Sequence, residues 1–288
     1  MKILQALKKA ADYLEKNTNQ SPQESKIEAV SIFVKILNIK KSILYSSYDK
    51  DISINDYHKI EKILNIRKNK IPLSYILNSH SFFKEEFFVN KNVLIPRPET
   101  ESIINEILLQ GDEFFKQKKK CIFLDAGSGS GCVGITLANE RPKWEIILSD
   151  LYIEALEVAK INLKLSNYNN INLLCADWLA PFKQNSLDFI FSNPPYISID
   201  DKAIERSVVS NEPSTALFSG EDGLADIKKI ISLSKHVLSS SGVLFMENGI
   251  EQSDAITSLL ELNDFTDIRV HLDYNSVGRF TSSRKHSG

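Results

Sequence analysis

The residues best equipped for chemistry lie in one short run, Asn193-Pro194-Pro195-Tyr196. It follows an apolar segment, Leu187-Asp188-Phe189-Ile190-Phe191-Ser192, that reads as a buried strand, so it sits where a strand gives way to a loop. Open α/β sheets bind their ligands at that end of the strands. Neither proline can donate a backbone hydrogen bond, and Pro195 keeps Pro194 out of helical geometry. The Pro194 carbonyl is therefore expected to be rigid and left out of the ladder. The Asn193 side chain adds a second carbonyl beside it, with an NH2 group. Two fixed acceptors side by side suit a planar NH2 group, and Tyr196 offers an aromatic face next to them. The run predicts a grip on an amide or amino nitrogen.

A second constellation lies upstream. Ile122-Phe123-Leu124 reads as a strand, Asp125-Ala126-Gly127-Ser128-Gly129-Ser130-Gly131 as a turn, and Val133, Ile135 and Leu137 as the start of a helix. Glycines at a strand-to-helix turn let backbone approach a ligand closely. Asp150 ends the next strand about 20 residues on, where a carboxylate accepts both hydroxyls of a ribose. Gly129-Ser130-Gly131-Cys132-Val133-Gly134 also matches the dinucleotide fingerprint literally. The strand, helix and acid together point to a nucleoside cofactor, without separating NAD from S-adenosylmethionine. Asp177-Trp178 closes the third strand, placed to hydrogen-bond an adenine amino group and stack on its ring; core packing of Trp178 is the alternative. The amide-sized grip leans toward methyl transfer, because hydride transfer has no use for it.

The elements that position these groups follow from periodicity. From residue 121 onward, strands at 122–124, 145–150, 171–176, 187–192 and 243–247 alternate with helical stretches, including one over 153–165 and one after Gly223. That alternation predicts an α/β fold with a mostly parallel sheet covered on both faces. Residues 1–78 read instead as a helical bundle, with Ser21-Pro22-Gln23-Glu24 as a capping box that carries proline at the first helical position. Between them, residues 79–98 suggest an extended linker with a hairpin turning at Asn90-Lys91-Asn92. Residues 99–288 form the second domain, with a tail that looks frayed from Ser282. Pro96-Arg97-Pro98-Glu99-Thr100-Glu101 reads as a proline-punctuated helix start. On a second reading it is a rigid strap that carries Arg97 and Glu99 to the edge of a site as substrate contacts.

Composition narrows the class. The 288 residues are 42% hydrophobic and 25% charged, ordinary for a globular protein of about two domains. Net charge is −2, but residues 1–78 hold 14 Lys/Arg against 8 Asp/Glu, a net of +6, which leaves −8 for the rest. A basic first segment could face nucleic acid or an acidic protein surface, and a solvated helical surface explains it equally well. Three scattered cysteines without a CxxC fit a reducing compartment, and five dispersed histidines carry no metal-ligand spacing, so no metal is expected. The N-terminus is too polar for a signal peptide and no apolar run is long enough to span a membrane, which makes the cytoplasm the default.

Asp-x-Gly-x-Gly-x-Gly followed by Asn-Pro-Pro-Tyr is the pairing found in amino-group methyltransferases acting on adenine, guanine or glutamine. The chain more specifically resembles the release factor glutamine methyltransferase family. The likeness runs through Pro72-Leu73-Ser74-Tyr75-Ile76, Pro96 to Glu101, the glycine loop, Asp150, Asp177-Trp178 and Asn193 to Tyr196. It continues through Glu212-Pro213, Ala216-Leu217, Gly220-x-Asp222-Gly223-Leu224 and Glu247-x-Gly249-x-x-Gln252. One departure is Gly278-Arg279-Phe280, where an Asp-Arg pair is expected, with an effect on local edge packing.

The resemblance implies a seven-stranded Rossmann-like class I methyltransferase sheet with an N-terminal helical domain that docks the substrate. It further implies a cytoplasmic enzyme that methylates the glutamine side-chain nitrogen in the Gly-Gly-Gln motif of peptide chain release factors. S-adenosylmethionine is the implied donor, held by Asp125, Gly127 to Gly131, Asp150, Asp177, Trp178 and Asn193. Asn193, Pro194 and Tyr196 are the expected catalytic groups, and with Pro195 they contact the substrate. A monomer without membrane or direct nucleic-acid contacts is expected. The competing readings are a DNA or RNA amino-group methyltransferase, a non-catalytic cofactor-binding scaffold and a dehydrogenase.

Overall fold

The computed structural model describes residues 1–166, 168–202 and 204–286. Contacts divide the chain into two units, Met1–Ser79 and His80–Gly288.

The first unit holds helices α1 (Ile3–Thr18), α2 (Pro22–Leu37), α3 (Lys41–Tyr45), α4 (Ile54–Arg67) and α5 (Leu73–Leu77). Apolar residues at helical spacing face one another: Leu7, Leu14, Ile32, Phe33, Leu44 and Ile60 are buried together. The capping box forms at α2, where the Glu24 N–H donates to Ser21 Oγ (3.3 Å) and the Ser21 N–H to Glu24 Oε2 (2.8 Å). One turn of helix on, Glu28 accepts from Arg67 Nε of α4 at 2.6 Å, which ties two helices together.

The second unit begins with a hairpin, β1 (His80–Phe82) and β2 (Glu85–Phe87), and then α6 (Pro98–Lys118). Alternation follows through β3 (Ile122–Ala126), α7 (Cys132–Glu140), β4 (Glu145–Asp150), α8 (Ile153–Ser166), β5 (Ile171–Cys175) and β6 (Leu187–Ser192). The chain continues with α9 (Arg206–Asn211), α10 (Ala225–Val237), β7 (Leu238–Glu247), α11 (Ser253–Leu262), β8 (Phe265–Leu272) and β9 (Gly278–Lys285). One seven-stranded sheet has the order β5-β4-β3-β6-β7-β9-β8, and only β9 runs antiparallel to its neighbours. The order reverses between β3 and β6, which places a ligand crevice at the carboxyl ends of those two strands.

Side-chain alternation builds the two cores. Phe123, Phe189 and Phe245 occupy one face of β3, β6 and β7 as a row of stacked rings, with centroids 6.4 Å apart at each step. Their neighbours Leu124, Ile190 and Leu244 point to the other face, under α10 and α11. Strands buried on both faces read as continuous apolar runs, which is why β4, β6 and β7 are visible in the sequence.

Two expectations change. The hairpin turns at Phe83-Lys84, seven residues before the expected Asn90-Lys91-Asn92, which instead forms a separate turn closed by Val93 N–H to Asn90 O. Phe83 takes a left-handed φ of +56°, a conformation its residue type does not advertise. Phe82 and Phe87 pack into the core of the second unit, so residues 80–98 belong with it. The tail from Ser282 is not frayed through Lys285, because β9 inserts between β7 and β8 and is paired along both edges. Thr281, Ser282 and Ser283 are buried there. Ser287 and Gly288 lie outside the described residues. Among the described residues no helix is long and apolar enough to cross a membrane.

Candidate active site

A cleft of about 560 Å³ opens at the carboxyl ends of β3, β4 and β6. Its floor is the glycine loop. The N–H groups of Gly127 and Ser128 both donate to Ser149 O of β4 at 2.9 Å, and Gly131 N–H closes a turn onto Ser128 O at 2.8 Å. These bonds pin the loop beside β4 and start α7 at Cys132. Gly129 has φ +54°, and an added Cβ there meets open space, so the loop offers bare backbone at the cleft wall. At Gly127 an added Cβ would fall 2.9 Å from the Trp178 ring, so that ring rests directly on the loop. Trp178 Nε1 donates to Asp226 Oδ1 at the start of α10 (3.0 Å), and Asp226 Oδ2 accepts from Ser219 Oγ (2.6 Å), which fixes the indole plane.

Two carboxylates complete the floor. Asp150 Oδ2 accepts from Gly129 N–H (2.9 Å) and Oδ1 from Tyr152 N–H (3.0 Å), so the acid at the end of β4 is locked onto the loop. Burial raises its pKa. Asp125, at the end of β3, accepts from Gly134 N–H at 2.9 Å. Burial pushes it up to about 7 against that bond, with the charge of Asp150 adding to the rise. The Ser128 hydroxyl, also at the cleft wall, is buried without a hydrogen-bond partner among the described residues. An orphaned hydroxyl, exposed loop backbone, a locked acid and an indole face are the groups a ribonucleoside with a charged tail requires, so the residues present fit S-adenosylmethionine.

Beyond β6 the chain enters Asn193-Pro194-Pro195-Tyr196. Ser192 Oγ donates to Ala126 O at 2.8 Å, tying the end of β6 to the glycine loop's strand. Neither the Asn193 side-chain amide nor the Pro194 carbonyl has a hydrogen-bond partner among the described residues. Asn193 and Pro195 line the cleft. Tyr196 turns behind it. Its hydroxyl lies 3.4 Å from Glu247 Oε1 and accepts from Arg279 Nη2 at 3.3 Å, and its carbonyl accepts from Gln252 Nε2 at 2.9 Å. Burial and the nearby Glu247 charge push the phenol up to about 12, so it stays protonated.

The opposite wall is the stretch before α6. Pro98 is the first residue of that helix, and Glu99 and Glu101 lie in its first turn. Arg97 lines the cleft and donates through Nη2 to Glu212 Oε1 at 2.7 Å, while the Ile95 N–H donates to Glu212 Oε2 at 3.0 Å. One buried carboxylate therefore ties both walls of the mouth. Thr100, one turn on, donates from Oγ1 to Glu247 Oε2 at 2.6 Å.

The structure thus brings Asp125, Gly127, Ser128, Gly129, Ser130, Asp150, Trp178, Asn193, Pro195 and Arg97 to one cleft. Gly131, Pro194 and Tyr196 stand just behind its wall. Asp177 does not reach it: both carboxylate oxygens take Lys229 Nζ of α10 at 2.7 Å on the surface. Glu99 also lies outside the lining, because the helix that begins at Pro98 rotates it away while Thr100 faces in. Sequence reasoning assigns no role to Thr100, Glu212, Asp226, Glu247 or Arg279. The one local signal is a charged residue closing a wholly apolar strand, as Glu247 does after Val243-Leu244-Phe245-Met246.

The family described as Methyltransferase small domain matches residues 106–252, and that described as PrmC N-terminal domain matches residues 5–77. A protein of Francisella tularensis named Release factor glutamine methyltransferase is 36% identical over 92% of this chain and 93% of its own length. One of the same name from Escherichia coli is 33% identical over 78% of this chain and 80% of its own. Among solved structures, the hMettl16 catalytic domain in complex with MAT2A 3′UTR hairpin 6 superposes with a TM-score of 0.53. It covers 83% of this chain and 87% of that one at 14% identity, a likeness of fold alone.

Proposed function

The chain belongs to the release factor glutamine methyltransferase family, and on that premise we propose that it methylates the side-chain amide nitrogen (N5) of the glutamine in the Gly-Gly-Gln motif of peptide chain release factors. One observation carries the chemistry: the Asn193 side-chain amide and the Pro194 carbonyl stand without partners among the described residues, beside a cleft of about 560 Å³. S-adenosylmethionine, bound in that cleft, supplies an electrophilic methyl group on a sulfonium. The Gly127–Gly131 loop would hold its methionyl and ribose portions, Asp150 would accept the ribose hydroxyls, and Trp178 would hold the adenine.

The difficulty of the reaction lies with the nucleophile. An amide lone pair is delocalised into the carbonyl, the same resonance that flattens the peptide bond. Asn193 Oδ1 and the Pro194 carbonyl accept the two amide hydrogens, which fixes the NH2 plane and aims nitrogen at the methyl group. As positive charge develops on nitrogen, those same acceptors stabilise it more than they do the ground state. Fixing both partners in one cleft contributes proximity and orientation. No strong base beside the nitrogen is needed, because an N-methylated amide cation loses its proton readily. Arg97 at the mouth is a contact for the glutamine-bearing loop, and Tyr196 backs the clamp and helps keep water from it.

The helical first unit serves as the docking domain for the release factor, the chain acts as a monomer in the cytoplasm, and its product supports translation termination. The net +6 of residues 1–78 favours an acidic partner surface. The same charge is the best support for a second substrate class, an exocyclic amine of adenine or guanine, which the clamp would also fit once the base is flipped out. Methyl incorporation from labelled donor, measured side by side on purified release factor, DNA and ribosomal RNA, tests the choice. Label in the release factor alone is expected; label in nucleic acid alone overturns it.

A further inference from the structure

Behind the clamp sits a group of polar side chains that the reaction as written does not use. Glu247 ends β7 and is fully buried. Its register partner on β9 is Phe280, so Arg279 is delivered to the same end of the sheet. The Arg279 guanidinium lies over the Tyr196 ring, 5.7 Å from its centroid, and reaches the phenol oxygen at 3.3 Å. Glu247 approaches that oxygen at 3.4 Å with Oε1 and holds Thr100 of α6 with Oε2. Two strands, β7 and β9, therefore converge on the side chain of the last residue of the clamp, and α6 reaches it through Glu247.

We propose that Arg279 and Glu247 are positioning residues for the amide clamp, acting through Tyr196 to set the height and tilt of Asn193 and Pro194 over the cleft. This rests on the amide-methylation reading above. Packing alone does not account for the group. A ring in this place packs equally well against apolar neighbours, whereas burying the Glu247 carboxyl and half-burying the Arg279 guanidinium costs desolvation. The Arg279 Nε–H is moreover buried without a partner among the described residues, a cost that a purely structural contact has no reason to carry. Gln252 grips the Tyr196 carbonyl from the other side at 2.9 Å, so rotation of the ring is the freedom left for Arg279 and Glu247 to remove. Gly278-Arg279-Phe280 thus bears on the site itself rather than on an edge, since β9 is an interior strand.

A double-mutant cycle tests this, with kcat and KM for purified release factor and calorimetric affinity for S-adenosylmethionine measured on wild type, Arg279→Met, Tyr196→Phe and the double variant. Misplacing the nucleophile lowers kcat roughly 10- to 100-fold in Arg279→Met, with cofactor affinity within about twofold of wild type. Because Arg279 acts through the phenol, the double variant should be about as slow as the slower single one. Arg279→Lys keeps charge but not the flat stack, so it recovers only part of kcat; it replaces Arg279→Met in the cycle if that variant does not fold. Multiplicative losses, an unchanged kcat, or a loss confined to cofactor affinity overturns the proposal. The wild-type rate in the same assay reports separately on whether release factor is the substrate.

Discussion

Glu212 offers a sharp perturbation because its two carboxylate oxygens face two donors from the opposite wall. Glu212→Gln keeps the shape and replaces one acceptor with an NH2 group. If the amide oxygen stays with Ile95 N–H, the NH2 meets the Arg97 guanidinium; if it turns to Arg97, the buried Ile95 N–H is orphaned. Either way one charge-assisted bond is lost and two donors face each other. A bond of that kind contributes about 1.5–3 kcal/mol and an orphaned buried donor costs a similar amount. The Arg97 side chain is 29% exposed and can turn toward water, which favours the lower part of the range. We expect a loss of about 2 kcal/mol, with weaker cofactor binding as the cleft walls come apart. Both tryptophans, Trp144 and Trp178, lie in the second unit, so tryptophan fluorescence during urea unfolding reads that unit alone. With a slope of about 2–3 kcal/mol per molar for a chain of this size, the midpoint should fall by about 1 M. Asp222→Asn, which breaks an exposed pair with Lys228, is the control and should leave the midpoint in place. A midpoint for Glu212→Gln indistinguishable from that control refutes the reasoning.

Other outcomes follow from the same geometry. Gly129→Ala meets no neighbour but strains a φ of +54°, so it should cost about 1–2 kcal/mol in urea and weaken cofactor affinity in calorimetry by roughly tenfold or more, since one such factor is only about 1.4 kcal/mol. Trp178→Ala should weaken the same affinity strongly, while Asp177→Asn, whose carboxylate pairs with Lys229 outside the cleft, should leave it unchanged. Asp125 keeps its proton in the fold up to about pH 7, whereas the unfolded chain releases it near pH 4. The folded state then binds more protons between those values, so cofactor-free stability falls as pH rises through that window, with Asp125 contributing on the order of 3–4 kcal/mol. Asp125→Asn should flatten part of the decline of the urea midpoint between pH 5 and pH 8, with the remainder set by Glu247, which burial also pushes up to about 7, and by Asp150, which burial raises.

What the sequence makes legible is what local pattern can encode. Apolar runs such as Glu145–Asp150 and Leu187–Ser192 declare buried parallel strands, and the glycines after Asp125 declare the turn that follows β3. The Asn193 clamp is readable because prolines constrain themselves. Partners set by distant pairing are not readable in this way. Arg279 meets Tyr196 only because β9 slips between β7 and β8, and Ser282 and Ser283 read as a polar tail although that insertion buries them. Asp177 and Trp178 are adjacent and look equivalent, yet one is drawn out by Lys229 and the other inward by Asp226. The turn at Phe83 escapes for a different reason: the surrounding core imposes a left-handed conformation on a residue that does not favour it.

The central claim is that Asn193 and the Pro194 carbonyl present the glutamine amide of a release factor to the methyl donor. Mass spectrometry of a purified release factor after incubation with enzyme and S-adenosylmethionine tests it directly. One added methyl group is expected, on the glutamine of the Gly-Gly-Gln loop, abolished when that glutamine is replaced by alanine and reduced by orders of magnitude with the Asn193→Ala enzyme. Methylation that survives the glutamine replacement, or a near-normal rate from Asn193→Ala, contradicts the account.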